Sequence, residues 1–290
     1  MGTHNNPDLS RLSPMNHDIV GRKVNFDFSK GIEKFWAGDI LLTRLFDSLQ
    51  IGFPDGEKMF IQSVRYYRDL IQDPALLHDV KQFTFQEAQH GMEHMKYNEL
   101  LKEQGIDADT MLSIFKGFIT FFQKRFPKKF QLAVTVAAEH FTATLAEDFL
   151  DNELDVFADA DEVMKAFYTW HGMEEVEHKA VAWEVYNSVA GGGYFTRISA
   201  LGFLLLFTPM LIAAIGYMLY VDGKLLDIGV YRKGLHKILI NPGFGIRIIP
   251  KIASYFRPGF EPWETGYPKI FQEWKKKYAE NNDPMEALSL

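Results

Sequence analysis

Apolar residues recur every three to four positions through most of the first 190 residues of the chain. Over residues 32–49, the positions that share one predicted helical face are Phe35, Ile40, Leu41 and Phe46. Half-buried strands typically alternate apolar and polar residues. No stretch before residue 230 alternates for long enough to predict a strand. The pattern therefore predicts an all-α fold.

Turn-forming and capping residues divide this pattern into separate helices. Residues 52–56, Gly-Phe-Pro-Asp-Gly, have the composition of a turn, so we expect a new helix to begin at Glu57 and run to residue 71. Asp73 followed by Pro74 is typical of a helix start, and that helix is predicted to reach about residue 104. Further helices are predicted over residues 107–126, 129–152 and 159–190.

An uncharged and strongly apolar run occupies residues 198–221. Its length satisfies the criterion of about 20 apolar residues for a membrane span. Pro209 lies near the middle of this run. The sequence therefore predicts two short helices with a bend as well as it predicts one continuous span. The tail that follows is basic and aromatic, which suits contact with anionic lipid headgroups.

Composition and charge exclude several functional classes. With 290 residues, of which 47% are hydrophobic, the chain can bury a sizeable core. Its net charge of −7 argues against binding to nucleic acid. It contains no cysteine, which excludes disulfides, thiolate zinc sites, iron–sulfur clusters and cysteine nucleophiles.

Two of the predicted helices carry a glutamate and a histidine three residues apart. These pairs are Glu87-x-x-His90 and Glu175-x-x-His178. Residues three apart share one face of a helix, so each pair can point into one cavity. In four-helix di-iron carboxylate proteins, two helices each supply Glu-x-x-His and the other two each supply a single glutamate. The repeated motif therefore predicts two further glutamate ligands, one on each of two other helices.

Glu57 and Glu139 fit that template, because each lies in a predicted helix before one of the two pairs. Glu139 belongs to an otherwise apolar helix, where an unpaired carboxylate is unfavourable and a metal ion would relieve the cost. Four carboxylates and two neutral histidines balance two divalent ions, for which iron is favoured and manganese or zinc are alternatives. The predicted metal ligands are Glu57, Glu87, His90, Glu139, Glu175 and His178.

Three neighbouring residues leave the ligand set open. His94 and His171 lie one turn from a predicted ligand on the same helical face, either as additional ligands or as hydrogen-bonding groups behind the ligands. Glu174 precedes His178 by four residues and has the same two roles open to it. His140 is adjacent to Glu139, so it points about 100° away and is not expected to bind.

Longer stretches around these residues resemble a known family. They are Phe53-Pro54-x-Gly56-Glu57, Glu87-x-x-His90, Trp170-His171-x-x-Glu174-Glu175-x-Glu177-His178-Lys179 and Tyr255-Phe256-Arg257-Pro258-Gly259-Phe260-x-Pro262-Trp263. Over roughly residues 30–265 the chain resembles the predicted metal-dependent hydrolases, a family similar to ferritin-like proteins in its ligand pattern. The resemblance implies a metal-dependent hydrolase.

We therefore expect three regions. Residues 1–27 are expected to be a flexible arm, since they lack a helical pattern and the apolar core of a signal peptide. Residues 28–193 are expected to form a ferritin-like dimetal four-helix bundle with extra helices. Residues 194–290 are expected to be an apolar and basic helical appendage that associates with a membrane or packs on the bundle. The protein is expected to be cytoplasmic, with a peripheral or monotopic position at the inner face of the membrane.

Three functions fit these expectations. The first is a non-haem di-iron enzyme that uses dioxygen to oxidise an apolar or aromatic small molecule. The second is a metal-dependent hydrolase with the same dinuclear site. The third is a non-enzymatic iron-binding protein. The partners expected are an apolar substrate, an electron donor, a lipid surface and a second copy of the chain in a homodimer.

Overall fold

A computed structural model describes residues 19–29 and 31–288, and this part of the chain contains helices and no strand. The all-α prediction is confirmed. The α-helices are α1 Ile40–Arg65, α2 Pro74–Glu103, α3 Ala108–Arg125, α4 Lys128–Asp151, α5 Glu162–His178, α6 Val181–Glu184, α7 Tyr194–Leu204, α8 Thr208–Val221, α9 Ile228–Leu239, α10 Phe244–Arg247, α11 Ile249–Ser254, α12 Phe271–Asn281 and α13 Pro284–Ala287.

Four long helices form the centre of the fold. Helix α1 packs against α2 and α4, and α5 packs against α2 and α4. The two largest apolar clusters of the core include residues of these helices and of the segments packed on them, and aromatic residues such as Trp36, Phe83 and Trp170 are buried. All the predicted ligands lie on these four helices. The ferritin-like subtype of this arrangement stays a prediction.

Helix α1 differs from its prediction in both its start and its continuity. It begins at Ile40, where Asp39 accepts a hydrogen bond from the Leu42 amide, and not at residue 32. It then runs without a break through Pro54, so the turn predicted over residues 52–56 is wrong. A proline inside a helix is costly, but residues on both sides of it are buried against neighbouring helices, which offsets that cost. Glu57 therefore lies inside a long helix.

The other helix boundaries follow the local sequence signals more closely. The side chains of Asp73, Asp107 and Asp161 each accept a hydrogen bond from an amide in the first turn of α2, α3 and α5. Gly105, with φ of +87°, lies just beyond the end of α2, in the left-handed region that glycine tolerates. These caps position the helices that carry the candidate ligands.

The helix predicted over residues 159–190 is divided in the structure. Helix α5 ends at His178, and α6 and a π-helical turn, Val185–Val189, follow after a short interruption. No proline or glycine marks the interruption in the sequence. The glycines predicted to end the segment do so, with φ of +77° at Gly191 and +131° at Gly193.

The apolar run forms α7 and α8, joined by a 3₁₀ turn, Leu205–Phe207. Together they make a helical segment, Tyr194–Val221, of 28 residues that is long and apolar enough to cross a membrane, and 17% of its most apolar window is buried. Helix α7 packs on α4, whereas α8 and α9 pack on α1. The C-terminal region thus contacts two helices that carry candidate ligands.

The described part of the N-terminal arm is extended and crosses the central helices. Ile19, Arg22, Val24 and Phe26 are buried there, alternating with more exposed residues. The first 18 residues of the predicted flexible arm lie outside the described residues.

Candidate metal centre

The structure brings all six predicted ligands into one buried cluster. Glu57 comes from α1, Glu87 and His90 from α2, Glu139 from α4, and Glu175 and His178 from α5, and each is at most 5% exposed. On α2 and α5 the two ligands of a pair are three residues apart, so one face of each helix supplies both.

One half of the cluster surrounds His178. Its Nε2 lies 3.2 Å from Glu87 Oε1, 3.2 Å from Glu139 Oε2 and 3.5 Å from Glu175 Oε2. Three helices therefore direct a ring nitrogen and three carboxylates at one point. Glu87, Glu175 and His178 alone already place three ligand atoms within 4.8 Å of one another.

The other half contains the two histidines whose role the sequence left open. His94 Nε2 lies 3.0 Å from Glu57 Oε1, and Glu57, His94 and His171 form a second group with ligand atoms within 4.8 Å. His171 Nε2 lies 2.8 Å from Glu175 Oε1. Since the other oxygen of Glu175 faces His178, this carboxylate lies between the two halves. The cluster thus contains four glutamates and four histidines.

Many ligand atoms in the cluster are buried and make no hydrogen bond. They include both carboxylate oxygens of three glutamates and one ring nitrogen of three histidines: Glu57, Glu87 and Glu139, and His90, His94 and His178. The short distances from His178 Nε2 and His94 Nε2 to the carboxylates therefore bring lone pairs together without hydrogen bonds. Buried carboxylates without partners are costly, and a shared cation would satisfy them. The donor set fits divalent metal ions.

The outer nitrogens of the same histidines are hydrogen-bonded. His178 Nδ1 lies 3.0 Å from Gln86 Oε1, and His94 Nδ1 contacts Gln50 Oε1. Each amide oxygen accepts a hydrogen bond from Nδ1–H of its histidine, which leaves the opposite ring nitrogen with a free lone pair directed at the cluster. His90 Nε2 contacts Glu174 Oε2 at 3.0 Å in the same way. Such outer contacts are typical of metal-binding histidines, whose orientation they fix.

Burial and crowding shift the acidity of these groups in the metal-free protein. Burial, reinforced by neighbouring carboxylates such as Glu87, raises the pKa of Glu57 well above its usual value and that of Glu139 to about 8. For Glu175, burial also opposes ionisation, but the hydrogen bond with His171 and the electrostatic influence of His178 outweigh it and hold its pKa well below the usual range. In the metal-free protein, burial therefore opposes the ionisation of Glu57 and Glu139, whereas Glu175 is ionised readily.

Arg22, from the N-terminal arm, lies behind the ligands and was not predicted from the sequence. It contacts Glu174 and Glu177, and Gln86 Nε2 donates to Glu177 Oε2 at 2.8 Å. Glu174 therefore lies on the outer side of His90, and Glu177 on the outer side of Gln86. No local spacing in the sequence indicates these contacts, since Arg22 is 152 residues from Glu174.

His140 lies outside the cluster, as its spacing predicted. Its Nε2 lies 3.2 Å from the Lys251 carbonyl oxygen, and its ring stacks on Tyr255 at 5.0 Å between centroids. It joins α4 to the C-terminal region.

An apolar pocket adjoins the cluster on its α1–α4 side. Phe53, Phe141 and Phe149 line it, together with His171 and Glu175. Thr142 also lines this pocket and donates a hydrogen bond to Glu175 Oε2. The pocket gives the cluster an apolar approach.

A family model described as a predicted metal-dependent hydrolase matches residues 20–266. The chain belongs to this family. The matched residues include the extended arm from Val20, the four helices of the cluster and the C-terminal region as far as Gly266. Membership supports an enzyme that requires divalent metal ions, and it favours the hydrolase expectation over oxidation. No curated protein and no solved structure matches the chain.

Proposed function

We propose that this protein is a hydrolase that uses a dinuclear metal centre. The observation that carries the proposal is the set of buried ligand atoms without hydrogen-bond partners, gathered from four helices. Membership of a metal-dependent hydrolase family supports the same reading. We propose iron, manganese or zinc as the ions, because all three suit carboxylate and imidazole ligands.

The ligands divide into two groups that share Glu175. Glu87, Glu139, Glu175 and His178 would hold one ion, and Glu57, His94, His171 and Glu175 would hold the other, with His90 beside both. Divalent ions bound there supply Lewis acidity and acidify water, which is the chemistry of metal-dependent hydrolysis.

The chain itself contributes orientation and exclusion of solvent. Gln86, Gln50 and Glu174 fix the rings of His178, His94 and His90 through their outer nitrogens. Thr142 holds one oxygen of Glu175 from the side of the apolar pocket. Phe53, which packs on the rings of His94 and His171, closes that side of the cluster to water.

The test is hydrolysis of a chromogenic carboxylic ester by protein stripped with a chelator and reloaded separately with zinc, manganese or ferrous ions under nitrogen. We expect turnover that needs added metal, continues without oxygen, and is lost in Glu139→Gln. The matched control is Glu99→Gln, because Glu99 is an exposed glutamate on α2. Turnover that is unaffected by chelation would contradict the proposal.

A second candidate is oxygen-dependent oxidation of an apolar molecule at a di-iron centre. The observation that favours it is the number of carboxylates, four in one cluster, since these hard ligands suit oxidised iron. It requires an electron donor as partner. Ferrous-loaded protein that consumes oxygen stoichiometrically and hydrolyses no ester would favour this candidate. Reversible iron binding without ester hydrolysis or oxygen consumption would favour the third function, a non-enzymatic iron-binding protein.

We also propose that the protein is cytoplasmic and binds a membrane surface through α7, α8 and the start of α9. Phe195, Leu226 and Ile228 are 83%, 90% and 81% exposed, and the basic residues Arg232 and Lys233 lie exposed close by. We expect flotation with anionic but not neutral liposomes, and its loss in the double variant Leu226→Glu and Ile228→Glu. Recovery of the same amount of protein in the floating fraction with and without liposomes would contradict the proposed membrane binding.

A further inference from the structure

A second and larger apolar cavity lies among α1, α3, α4 and the α7–α8 segment. It has a volume of about 240 Å³. Its lining includes Met59, Phe115, Ile119 and Val134, and it contains no charged side chain. A ligand held there would make contacts that are almost entirely apolar.

The inner end of this cavity reaches the metal-ligand cluster. Four of its lining residues, Leu49, Phe53, Phe141 and Thr142, also line the pocket that contains His171 and Glu175. Thr142 donates to Glu175, and the Phe53 ring lies 4.8 Å from that of His94. The two spaces therefore meet at a shared wall beside the candidate metal ligands.

The outer end of the cavity reaches an exposed apolar surface formed by the α7–α8 segment. Leu204, Leu205 and Leu211 of the α7–α8 segment line it, and Leu205 is 64% exposed. Leu206 and Ile212, on the same segment, are also exposed. Among the described residues, no charged side chain lines the cavity between this surface and the wall that it shares with the pocket of the cluster.

We propose that this cavity binds the straight hydrocarbon chain of the substrate, an acyl ester whose carbonyl group lies at Thr142 and the metal-ligand cluster. The acyl chain is favoured because the lining side chains are apolar apart from Thr142 and Thr208, and because the volume is below the roughly 300–1,000 Å³ of pockets that hold drug-sized ligands. The cleavage step rests on the proposed function. Water adds to the ester carbonyl carbon, the ester C–O bond breaks, and the products are a carboxylic acid and an alcohol.

Two substitutions fill the cavity from different helices. Ile119→Phe enlarges a lining side chain on α3, a helix that carries none of the candidate ligands. Gly56→Leu adds a side chain at a lining position where a Cβ atom meets nothing within 4 Å. The matched control is Gly117→Leu, since Gly117 is exposed on α3 and has the same open space around it.

The measurement is calorimetric binding of straight-chain primary alcohols from hexan-1-ol to decan-1-ol to metal-loaded protein. We expect affinity to rise about fourfold for each added methylene in the wild type and in Gly117→Leu. In Ile119→Phe and Gly56→Leu the rise should stop at a shorter chain, with decan-1-ol bound at least ~10-fold more weakly. Equal metal content in all four proteins shows that the cluster is intact.

Decan-1-ol binding that is the same in the filled variants and the wild type would overturn the inference. So would an affinity independent of chain length. The alcohols contain no bond to hydrolyse, so their binding does not depend on the proposed function. Ester hydrolysis that is indifferent to acyl length defeats the inference alone, whereas chain-dependent binding without any hydrolysis defeats the proposed function alone.

Discussion

Arg22 and Glu177 form a two-pronged ion pair in the interior of the protein. Arg22 Nη1 lies 2.8 Å from Glu177 Oε2, and Nη2 lies 2.6 Å from Oε1. The guanidinium group also lies over the rings of Trp274 and Tyr278, at 5.3 and 5.5 Å from their centroids. One arginine of the extended arm therefore joins α5 to α12.

This ion pair is connected to two of the three outer histidine contacts. Arg22 holds Glu174, which contacts His90, and Glu177 accepts a hydrogen bond from Gln86, which contacts His178. Two imidazoles on different helices thus depend on one buried cation. Outer contacts of this kind fix the orientation of metal-binding histidines.

We predict that Arg22→Met weakens both folding and metal binding. Without the guanidinium group, Glu174 loses its buried cation and Glu177 keeps the more exposed Lys275, 3.1 Å away, and breaking a buried ion pair on one side costs about 3–5 kcal/mol. Metal affinity should fall about 10- to 100-fold, because Arg22 no longer holds the two glutamates through which the rings of His90 and His178 are oriented. Chemical unfolding and competition with a fluorescent chelator measure the two effects.

Lys23→Met is the control, because Lys23 is the neighbouring cation and its side chain is exposed. It should leave both quantities within about 0.5 kcal/mol of the wild type. An Arg22→Met variant that binds metal as tightly as Lys23→Met would show that the arm does not act on the cluster.

Local sequence spacing was enough to predict much of the fold and the proximity of the candidate ligands. Helix periodicity and capping residues predicted the class and most helix starts. A glutamate and a histidine three positions apart are neighbours on any helix, so Glu87 with His90 and Glu175 with His178 follow from the sequence alone. The structure brings these four together with Glu57 and Glu139, and their binding of metal stays a prediction.

Contacts between distant segments could not be predicted in this way. Arg22 meets Glu177 across 155 residues of sequence, and no periodic pattern marks it. Pro54 has the local signature of a turn, yet tertiary packing carries α1 through it. The sequence places His94 and His171 on the same helical faces as the predicted ligands. Their contact with the cluster depends on Glu57, which comes from a different helix and meets both of them there.

We predict that metal removal destabilises the protein substantially. Ions that bind the folded chain and not the unfolded chain stabilise it by about 2.7 kcal/mol at a concentration 100 times the dissociation constant. For a chain of this size that corresponds to a change in Tm of about 4 °C for each bound ion. Calorimetry with and without a chelator measures it, and a chelator-insensitive Tm would argue against bound metal.

We predict that His94→Gln lowers the metal content from two ions per chain to one. His94 contacts Glu57 in one half of the cluster, whereas Glu87, Glu139 and His178 form the other half without it. Metal analysis after dialysis measures the stoichiometry. His78→Gln is the control, since His78 is exposed on the same helix, α2. Retention of two tightly bound ions in His94→Gln would assign His94 a role behind the ligands.

Glu139→Gln should have opposite effects on the metal-free and metal-bound protein. Burial raises the pKa of Glu139 from 4.5 to about 8, so between these values the unfolded chain has released a proton that the folded chain still holds. Stability of the metal-free wild type therefore falls as pH rises through this window, and glutamine removes that contribution. Above pH 8 the metal-free variant should be more stable by about 1–3 kcal/mol. With metal present it should be less stable, because a ligand is lost.

Urea unfolding at pH 6 and pH 9, with metal and with chelator, measures all four cases. A metal-free variant less stable than the wild type at pH 9 would show that Glu139 is satisfied by the protein alone and has no need of a cation.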